Sequence, residues 1–200
     1  KKINLKKPLI LDENSEPTNF RTLLETNINI EKSELVFFND DKLINLAGVM
    51  GGLDTCCDKD TRVALIECAY FKPDAIIGKA VKYNLNSEAS YKFERGVDPL
   101  CHEMILRRII NIVSEHTTIK KLQIYRGMSK PFKKKELPID IQRVNRVLGL
   151  SLDEKRYQES LIPLGFKFNK KITIPSYRND IFHQNDLAEE LARVIGYDNI

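Results

Sequence analysis

The segment Ser129–Lys135 most constrains the fold, because it separates two regions that each have the composition of a folded domain. It contains one proline and four lysines. A chain of 200 residues is long enough for one or two domains. The pattern predicts a solvated linker, and a patch that contacts phosphate groups is the alternative. We therefore divide the chain into a first domain at residues 1–129 and a smaller one at 130–200.

The first region begins with strand patterns. Leu35–Phe38 and Leu43–Leu46 flank the turn residues 39–41, which predicts a β-hairpin. Glycines at positions 48, 51 and 52 interrupt the second strand, as expected where a backbone bends sharply or approaches a ligand closely. Val63–Tyr70 is apolar on both faces, which predicts a central strand. Residues 1–33 show only short apolar runs and give no clear assignment.

Two helices are predicted to follow these strands. Pro73 begins the first helix, and Asn84 is expected to end it in a left-handed conformation. Asp98 is expected to cap the second helix, with Pro99 at its first position. Apolar residues recur along one stripe of that helix at Cys101, Ile105, Ile109, Ile112 and Val113. This order predicts an α+β domain in which helices pack on a mixed or antiparallel sheet.

The second region has a compact pattern of its own. Ile139 and Ile141 alternate as a short strand. Two helices are then predicted at residues 142–148 and 151–164. A hairpin at residues 166–174 and a third helix at residues 185–196 are predicted to follow them. Ser151–Glu154 has a capping-box pattern, and Pro163 is expected to distort the last turn of its helix before Gly165. We predict a small winged-helix-like α+β domain.

Composition excludes several classes of protein. With 42% hydrophobic and 30% charged residues, the chain has the composition of a soluble globular protein. No apolar run approaches the roughly 20 residues that span a bilayer, and no signal peptide is visible. The four cysteines lack zinc-ligand spacing, so we expect reduced thiols in a cytoplasmic protein. The net charge of +4 permits contact with nucleic acid without requiring it. Because the chain begins without Met, we interpret it as a piece of a longer polypeptide.

Glu67 is the most informative single residue. Alternation along the predicted strand directs its carboxylate to the same side as Leu65 and Ala69, which are apolar. A carboxylate in such surroundings must find partners or have a raised pKa. One interpretation is a structural glutamate that bonds nearby backbone or Arg95, and the other is a residue of a functional site.

An acidic group stands near the end of the chain. Asp186, Glu189 and Glu190 have the spacing of one helical face, and Asp180 lies just upstream. Acidic residues in the first turns of a helix complement its dipole and often face water. Clustered carboxylates repel one another unless a cation is near, and a set of hard oxygen ligands suits Mg²⁺.

Four sequence blocks resemble a known family. Leu46–Gly52, Leu65–Phe71 and Tyr91–Pro99, in that order and spacing, resemble the editing domain of bacterial-type phenylalanine–tRNA ligase β subunits. Pro175–Asp180, continued by Asp186–Glu190 and Gly196–Ile200, is similar to the next domain of the same subunits. The resemblance covers roughly residues 34–200.

The resemblance implies an editing site. In the family, the glutamate that matches Glu67 reads the para-hydroxyl of a tyrosine wrongly attached to the phenylalanine tRNA. The substrate-binding residues carry over to Gly51, Glu67, Ser87 and Ala89, and Ser87 replaces the more usual threonine. Hydrolysis in the family is assisted by the substrate, so no catalytic residue is assigned. The family's upstream pocket histidine belongs to a segment that this chain lacks, so we expect an incomplete pocket.

The resemblance also implies a metal and partners. The residues matching Asp180, Asp186, Glu189 and Glu190 are assigned in the family to Mg²⁺ at the contact with the α subunit. The parent enzyme is an α₂β₂ ligase that attaches phenylalanine to tRNA with ATP. Its α chain carries aminoacylation, so ATP is not expected to bind to these residues.

Two interpretations from other classes stay open. The winged-helix-like pattern and Lys133–Lys135 are compatible with a non-catalytic nucleic-acid-binding module. The acidic face of the third helix argues against DNA, because recognition helices normally present Arg, Asn or Gln to bases. A module for subunit assembly is the other alternative for the second region.

Overall fold

The structure, a computed structural model, describes residues 3–127 and 132–200. It consists of two compact units that divide between Val97 and Asp98. Both units combine antiparallel sheets with helices, so the predicted α+β class is confirmed. No helix in the described ranges has the length and apolar character needed to cross a membrane.

The first unit is built on a four-stranded antiparallel sheet. Its strands, in spatial order, are β1 (Leu9–Glu13), β4 (Leu35–Asn39), β5 (Lys42–Leu46) and β6 (Met50–Gly51). A separate ribbon pairs β2 (Thr18–Arg21) with β3 (Asn27–Ile30). The predicted hairpin is confirmed as β4 and β5, which are joined by Asp40 and Asp41, both with positive φ.

The core of the first unit lies between the sheet, the ribbon and the chain after residue 70. Ile30, Val36, Leu46 and Ile76 are fully buried in it. The ring of Phe71 makes edge contacts with two other rings, with centroid distances of 6.2 Å to Phe37 and 4.9 Å to Phe93. Such aromatic pairs add to the hydrophobic stabilisation of a core.

The central strand predicted at Val63–Tyr70 is wrong. Residues 61–72 follow an irregular path, and Val63, Leu65 and Ile66 are exposed. A strand exists only where a neighbouring strand supplies hydrogen bonds. The described strands of this unit pair with one another instead.

The first predicted helix is interrupted. A 3₁₀ turn spans Pro73–Ala75, and α1 (Lys79–Lys82) begins only after Gly78, whose φ is +79°. A left-handed residue cannot continue a right-handed helix, so Gly78 divides the element. Asn84 has the predicted positive φ of 53°. α2 (Glu88–Arg95) completes the unit.

The second unit begins with α3 (His102–His116), which starts later than predicted. Asp98 caps the preceding turn instead, because its Oδ1 accepts a hydrogen bond from Leu100 N at 2.9 Å. Every residue of α3 stays at least partly exposed, including the predicted apolar stripe. The sequence therefore predicts this helix but not its N-terminus.

Three helices and a small sheet form the remainder of the second unit. The strands β7 (Glu136–Leu137), β8 (Lys167–Phe168) and β9 (Ile172–Thr173) form an antiparallel sheet with β9 in the centre. The helices are α4 (Ile141–Leu148), α5 (Glu154–Leu161) and α6 (Gln184–Ile195). Their core contains Val144, Tyr157, Phe166, Ile172, Leu187 and Leu191, all at most 1% exposed.

Most predictions for this unit are confirmed, with two local corrections. The hairpin, Gly149 with φ of 68° and the 3₁₀ turn at Ile162–Leu164 agree with the sequence patterns. The strand predicted at Ile139 and Ile141 is wrong, because Ile141 begins α4 and Asp140 caps it. Asp153, not Ser151, caps α5.

Gly48 offers a test of how closely the glycine turn packs. Its φ is +70°, and an added Cβ would lie 2.7 Å from Ile76 Cδ1. We expect Gly48→Ala to lower the free energy of unfolding by about 2–4 kcal/mol, from backbone strain and overpacking together. Gly78→Ala is the matched control, since Gly78 has a φ of +79° and open space around it. It should cost only about 1–2 kcal/mol. Equal losses in denaturant unfolding would contradict close packing at Gly48.

Candidate functional site

Gly51 lies on β6, beside two side chains from neighbouring strands and loops. It pairs with Asn45 across the sheet, and its carbonyl accepts a hydrogen bond from Leu23 N at 3.0 Å. A Cβ at this position would lie 3.1 Å from Leu23 Cδ1 and 4.0 Å from Asn45 Nδ2. The absent side chain therefore leaves a narrow space that is bordered by one apolar group and one amide.

Asn45 is a neighbour that sequence reasoning missed. Its Oδ1 is buried and has no hydrogen-bond partner among the described residues. A buried acceptor without a partner is unusual in a folded protein. Asn45 lies on the strand that the sequence predicts at Leu43–Leu46, but no motif marks its amide as part of a site.

Ser87 connects the start of α2 to the glycine turn. Its Oγ donates to the carbonyl oxygen of Val49 at 2.7 Å and accepts from Ser90 N at 3.1 Å. Ser90 Oγ in turn accepts from Ser87 N at 3.4 Å, so the two serines form a capping box. Ser87 and Gly51 are thus brought close through Val49, although 38 residues separate Ser87 from Val49.

No hydrogen bond or ion pair between side chains of the described residues joins Ala89 or Glu67 to Gly51 and Ser87. Ala89 is exposed on the first turn of α2. Glu67 is exposed on the irregular segment, and its carboxylate has no hydrogen-bond or ion-pair partner in residues 3–127 or 132–200. The surrounding protein atoms nonetheless desolvate that carboxyl and raise its pKa above the ordinary value.

Arg95 forms no hydrogen bond or ion pair with Glu67 in the described part of the chain, so the bond between them that one interpretation required is wrong. Its Nη1 donates to Glu94 Oε1 at 2.6 Å and to the carbonyl oxygen of Tyr91 at 3.0 Å. Its guanidinium carbon lies 3.7 Å from the centre of the Tyr91 ring. Arg95 therefore stabilises its own helix.

A buried ion-pair network in the first unit was not predicted. The Glu34 carboxylate, 8% exposed, pairs with Lys79 and with Lys82, whose Nζ lies 2.7 Å from Oε1. Tyr83 OH donates to the same Oε1 at 3.1 Å. Burial acts to raise the pKa of Glu34, but hydrogen bonds from Lys79 and Lys82 outweigh it and the pKa is lowered. The network fixes α1 to the chain before β4. No local sequence pattern reveals it, because Glu34 lies far from Lys79 and Lys82 along the chain.

In the second unit, the four predicted magnesium ligands already have partners. Arg178 Nη1 and Nη2 donate to the two Glu190 carboxylate oxygens at 2.6 and 2.7 Å. Arg178 Nε and Nη2 donate to the two Asp180 oxygens at 2.8 and 2.7 Å. Arg193 pairs with both Glu189 and Glu190. Together Asp180, Glu189, Glu190 and these two arginines form what we call the arginine–carboxylate network.

Asp186 has a different role at the start of α6. Its Oδ2 accepts hydrogen bonds from Phe182 N at 2.7 Å and His183 N at 2.8 Å. These bonds lower the pKa of its carboxyl. Asp186 therefore caps the helix, as acidic residues in a first turn often do.

These contacts do not fit a magnesium ion. Mg²⁺ requires oxygen ligands in nearly octahedral geometry, and here guanidinium groups lie on the carboxylate oxygens that would have to supply them. In the described ranges, no three His, Cys, Asp or Glu side chains are grouped so as to hold a metal. The side chains as folded thus do not by themselves provide a magnesium site in the described ranges.

The lysines at the end of the predicted linker line a cavity of about 330 Å³. Lys133, Lys134 and Lys135 share it with Phe182, and Lys135 Nζ lies 3.9 Å from the centre of that ring. Lys135 Nζ also donates to the Asn179 carbonyl oxygen at 2.9 Å. Of the predicted boundary, Ser129, Lys130 and Pro131 lie outside the described residues.

Ser87 allows a test of the link between α2 and the glycine turn. We expect Ser87→Ala to lower the free energy of unfolding by about 1–2 kcal/mol, because it removes a helix cap and leaves the Val49 carbonyl without its donor. Ser87→Thr keeps the hydroxyl and should retain most of the stability. Denaturant unfolding of the variants measures both effects, and equal stability of Ser87→Ala and the unchanged protein would contradict the link.

The Glu34 network predicts acid sensitivity of the first unit. Because the folded-state pKa of Glu34 is lowered, its contribution is present above the pKa of an unfolded glutamate, about 4.3, and is lost as pH falls through the folded value. We expect Glu34→Gln to be less stable at neutral pH and to lose less stability on acidification. Glu31→Gln is the control, since Glu31 is 62% exposed and its carboxylate pairs with Lys82. Thermal unfolding across the acid range gives the comparison. An unchanged acid dependence in Glu34→Gln would contradict the assignment.

Two domain models match consecutive parts of the chain. The B3/4 domain model matches residues 1–118, and the tRNA synthetase B5 domain model matches residues 137–197. The chain is similar to proteins named phenylalanine–tRNA ligase beta subunit. It is 31% identical to the one from Clostridium tetani, over 96% of this chain and 25% of the relative. It is 33% identical to the one from Francisella tularensis, over 90% of this chain and 24% of the relative.

A third relative of the same name, from Oleidesulfovibrio alaskensis, is 33% identical over 96% of this chain and 25% of the relative. The chain thus spans about a quarter of the length of these curated relatives. The resemblance predicted from the sequence blocks is confirmed. Because the first domain model covers more than half of the residues, the chain belongs to the B3/4 domain family.

Proposed function

We propose that this chain is the part of a phenylalanine–tRNA ligase β subunit that contributes to removal of tyrosine mischarged onto the phenylalanine tRNA. The Ser87–Val49 hydrogen bond carries the proposal best. It brings the start of α2, which supplies two of the predicted substrate-binding residues, against the glycine turn that supplies a third. The order of the two matched domain models also supports it.

The chemical reason for such a site is selectivity. A pocket shaped for phenylalanine cannot strongly exclude an analogue that only adds a hydroxyl. A second site that hydrogen-bonds this hydroxyl selects the wrong product, because the correct one leaves its polar groups unpaired. We assign Gly51, Glu67, Ser87 and Ala89 to substrate binding and no residue to general base catalysis.

Glu67 suits the selective role because its carboxylate has no partner among the described residues and has a raised pKa. An unpaired carboxylate can accept a hydrogen bond from the phenol of tyrosine, whereas the side chain of phenylalanine has no hydrogen-bond donor. The irregular path of residues 61–72 leaves this side chain accessible.

The proposed parent enzyme charges tRNA with phenylalanine at the expense of ATP and Mg²⁺, as an α₂β₂ assembly in the cytoplasm. The α subunit and tRNA are the proposed partners, and ATP binds elsewhere in the assembly. We keep the proposed domain division at residues 129 and 130, which falls between the two matched models, whereas the compact units of the structure divide between Val97 and Asp98.

A non-catalytic nucleic-acid-binding module is the second candidate. The cavity lined by Lys133, Lys134, Lys135 and Phe182 favours it, because positive charge beside an aromatic ring suits a phosphate backbone and an unstacked base. The acidic residues of α6 argue against base reading by that helix. A role of residues 130–200 in subunit assembly is the remaining alternative.

Glu67→Ala in the full-length β subunit, assembled with its α subunit, tests the proposed editing function. We expect deacylation of tyrosyl-tRNA to slow by about 10- to 100-fold, the loss of one hydrogen bond to a charged group, while charging with phenylalanine stays largely intact. Glu16→Ala is the control, since Glu16 is an exposed glutamate of the same unit. Unchanged hydrolysis of tyrosyl-tRNA in Glu67→Ala would overturn the assignment.

A further inference from the structure

Arg178 occupies the position between the carboxylates where a cation would have to bind. Its guanidinium makes paired hydrogen bonds with Asp180 on one edge and with Glu190 on another. The planar guanidinium matches the geometry of carboxylates, and paired bonds of this kind are stronger than neutral ones. Both carboxylates therefore direct their oxygens at Arg178.

The partners of this guanidinium are largely shielded from water. The side chains of Glu190 and Arg178 are 7% and 16% exposed. Both carboxylate oxygens of Glu190 accept hydrogen bonds from the Arg178 guanidinium, which is the contact expected of an ionised carboxylate. A buried charge without a partner is strongly destabilising, which means that Glu190 requires a resident cation.

The charges within the arginine–carboxylate network nearly balance. Arg178 and Arg193 supply two positive charges against the three negative charges of Asp180, Glu189 and Glu190. Asp186 is satisfied separately by two backbone N–H groups. A divalent ion added to this network would have to displace a guanidinium first.

The network also fixes a segment of the core. Arg178 ties the chain before Ile181 to the middle of α6, and Asp186 holds Phe182 and His183 just after it. Ile181 lies between these two anchors and is 1% exposed. The two sets of contacts together therefore hold Ile181 in the hydrophobic core of the second unit.

We propose that Arg178 is the resident cation of this acidic cluster and that it takes the structural place of magnesium there. The guanidinium locks residues 178–183 onto α6 without any metal. The unchanged chain is then insensitive to Mg²⁺, and the cluster becomes a magnesium site only when Arg178 is removed. This inference does not depend on the proposed editing function.

Thermal unfolding and hydrogen–deuterium exchange of residues 1–200 test the proposal in a magnesium titration that begins in EDTA. The unchanged chain should show no shift of Tm across the titration. Arg178→Gln should lower the Tm of the second unit by about 10 °C or more, because it leaves Glu190 buried without its main partner. Amides of α6 should exchange about 10-fold faster or more in that variant. Added Mg²⁺ should then recover part of the loss.

Two further variants separate charge from geometry. Arg178→Lys keeps the charge but loses the planar fork, so it should fall between the unchanged chain and Arg178→Gln. Arg146→Gln is the matched control, because Arg146 is an exposed arginine on α4 of the same unit. It should leave Tm and the exchange of α6 unchanged. If Arg178→Gln does not fold, Arg178→Lys and the titration of the unchanged chain decide the question.

The proposal is overturned by either of two results. The first is a saturable rise in Tm of the unchanged chain with Mg²⁺ that disappears in Glu190→Gln, which would show that the carboxylates bind the metal in spite of Arg178. The second is normal exchange of α6 in the Arg178 variants, which would show that the guanidinium does not hold the segment.

Discussion

The turn at Gly48 places the strongest constraint on the first unit. Its backbone has a φ that side chains disfavour, and an added Cβ would lie 2.7 Å from Ile76 Cδ1. Because of this close approach, the sheet packs against the buried chain around Phe71. The turn also directs the Val49 carbonyl toward Ser87. The helix that carries two predicted site residues is positioned by that contact. Core packing and the candidate site therefore depend on the same turn.

The second unit depends on a different physical requirement, the neutralisation of a buried carboxylate. Glu190 lies on α6 beside Leu187 and Leu191, which pack into the core. Its burial follows from that packing, and the charge must then be balanced from within the chain. Arg178 meets this need from a separate segment and orders that segment at the same time. The buried charge of Glu190 therefore helps to determine the fold of the second unit.

The sequence predicts elements whose signals are local. The hairpin at β4 and β5, the end of α4 at Gly149 and the distortion at Pro163 each follow from a few neighbouring residues. The strand at Val63–Tyr70 fails because a strand requires partners that its own residues cannot specify. Gly78 is a recognisable signal for a break before α1. The helical periodicity of the residues around it nevertheless favours one continuous helix when the structure is predicted from the sequence.

The candidate sites show the same limit more clearly. Helical spacing correctly groups Glu189 and Glu190, but it says nothing of Arg178, which reaches Glu190 from 12 residues earlier in the chain. An acidic group alone favours a metal, whereas the complete contact set favours a guanidinium, so the missing residue reverses the chemical interpretation. Glu67 is the opposite case, since the predicted strand failed while its carboxyl has the expected raised pKa. The chemistry of a carboxylate follows from what surrounds it, and spacing along the chain gives only part of those surroundings.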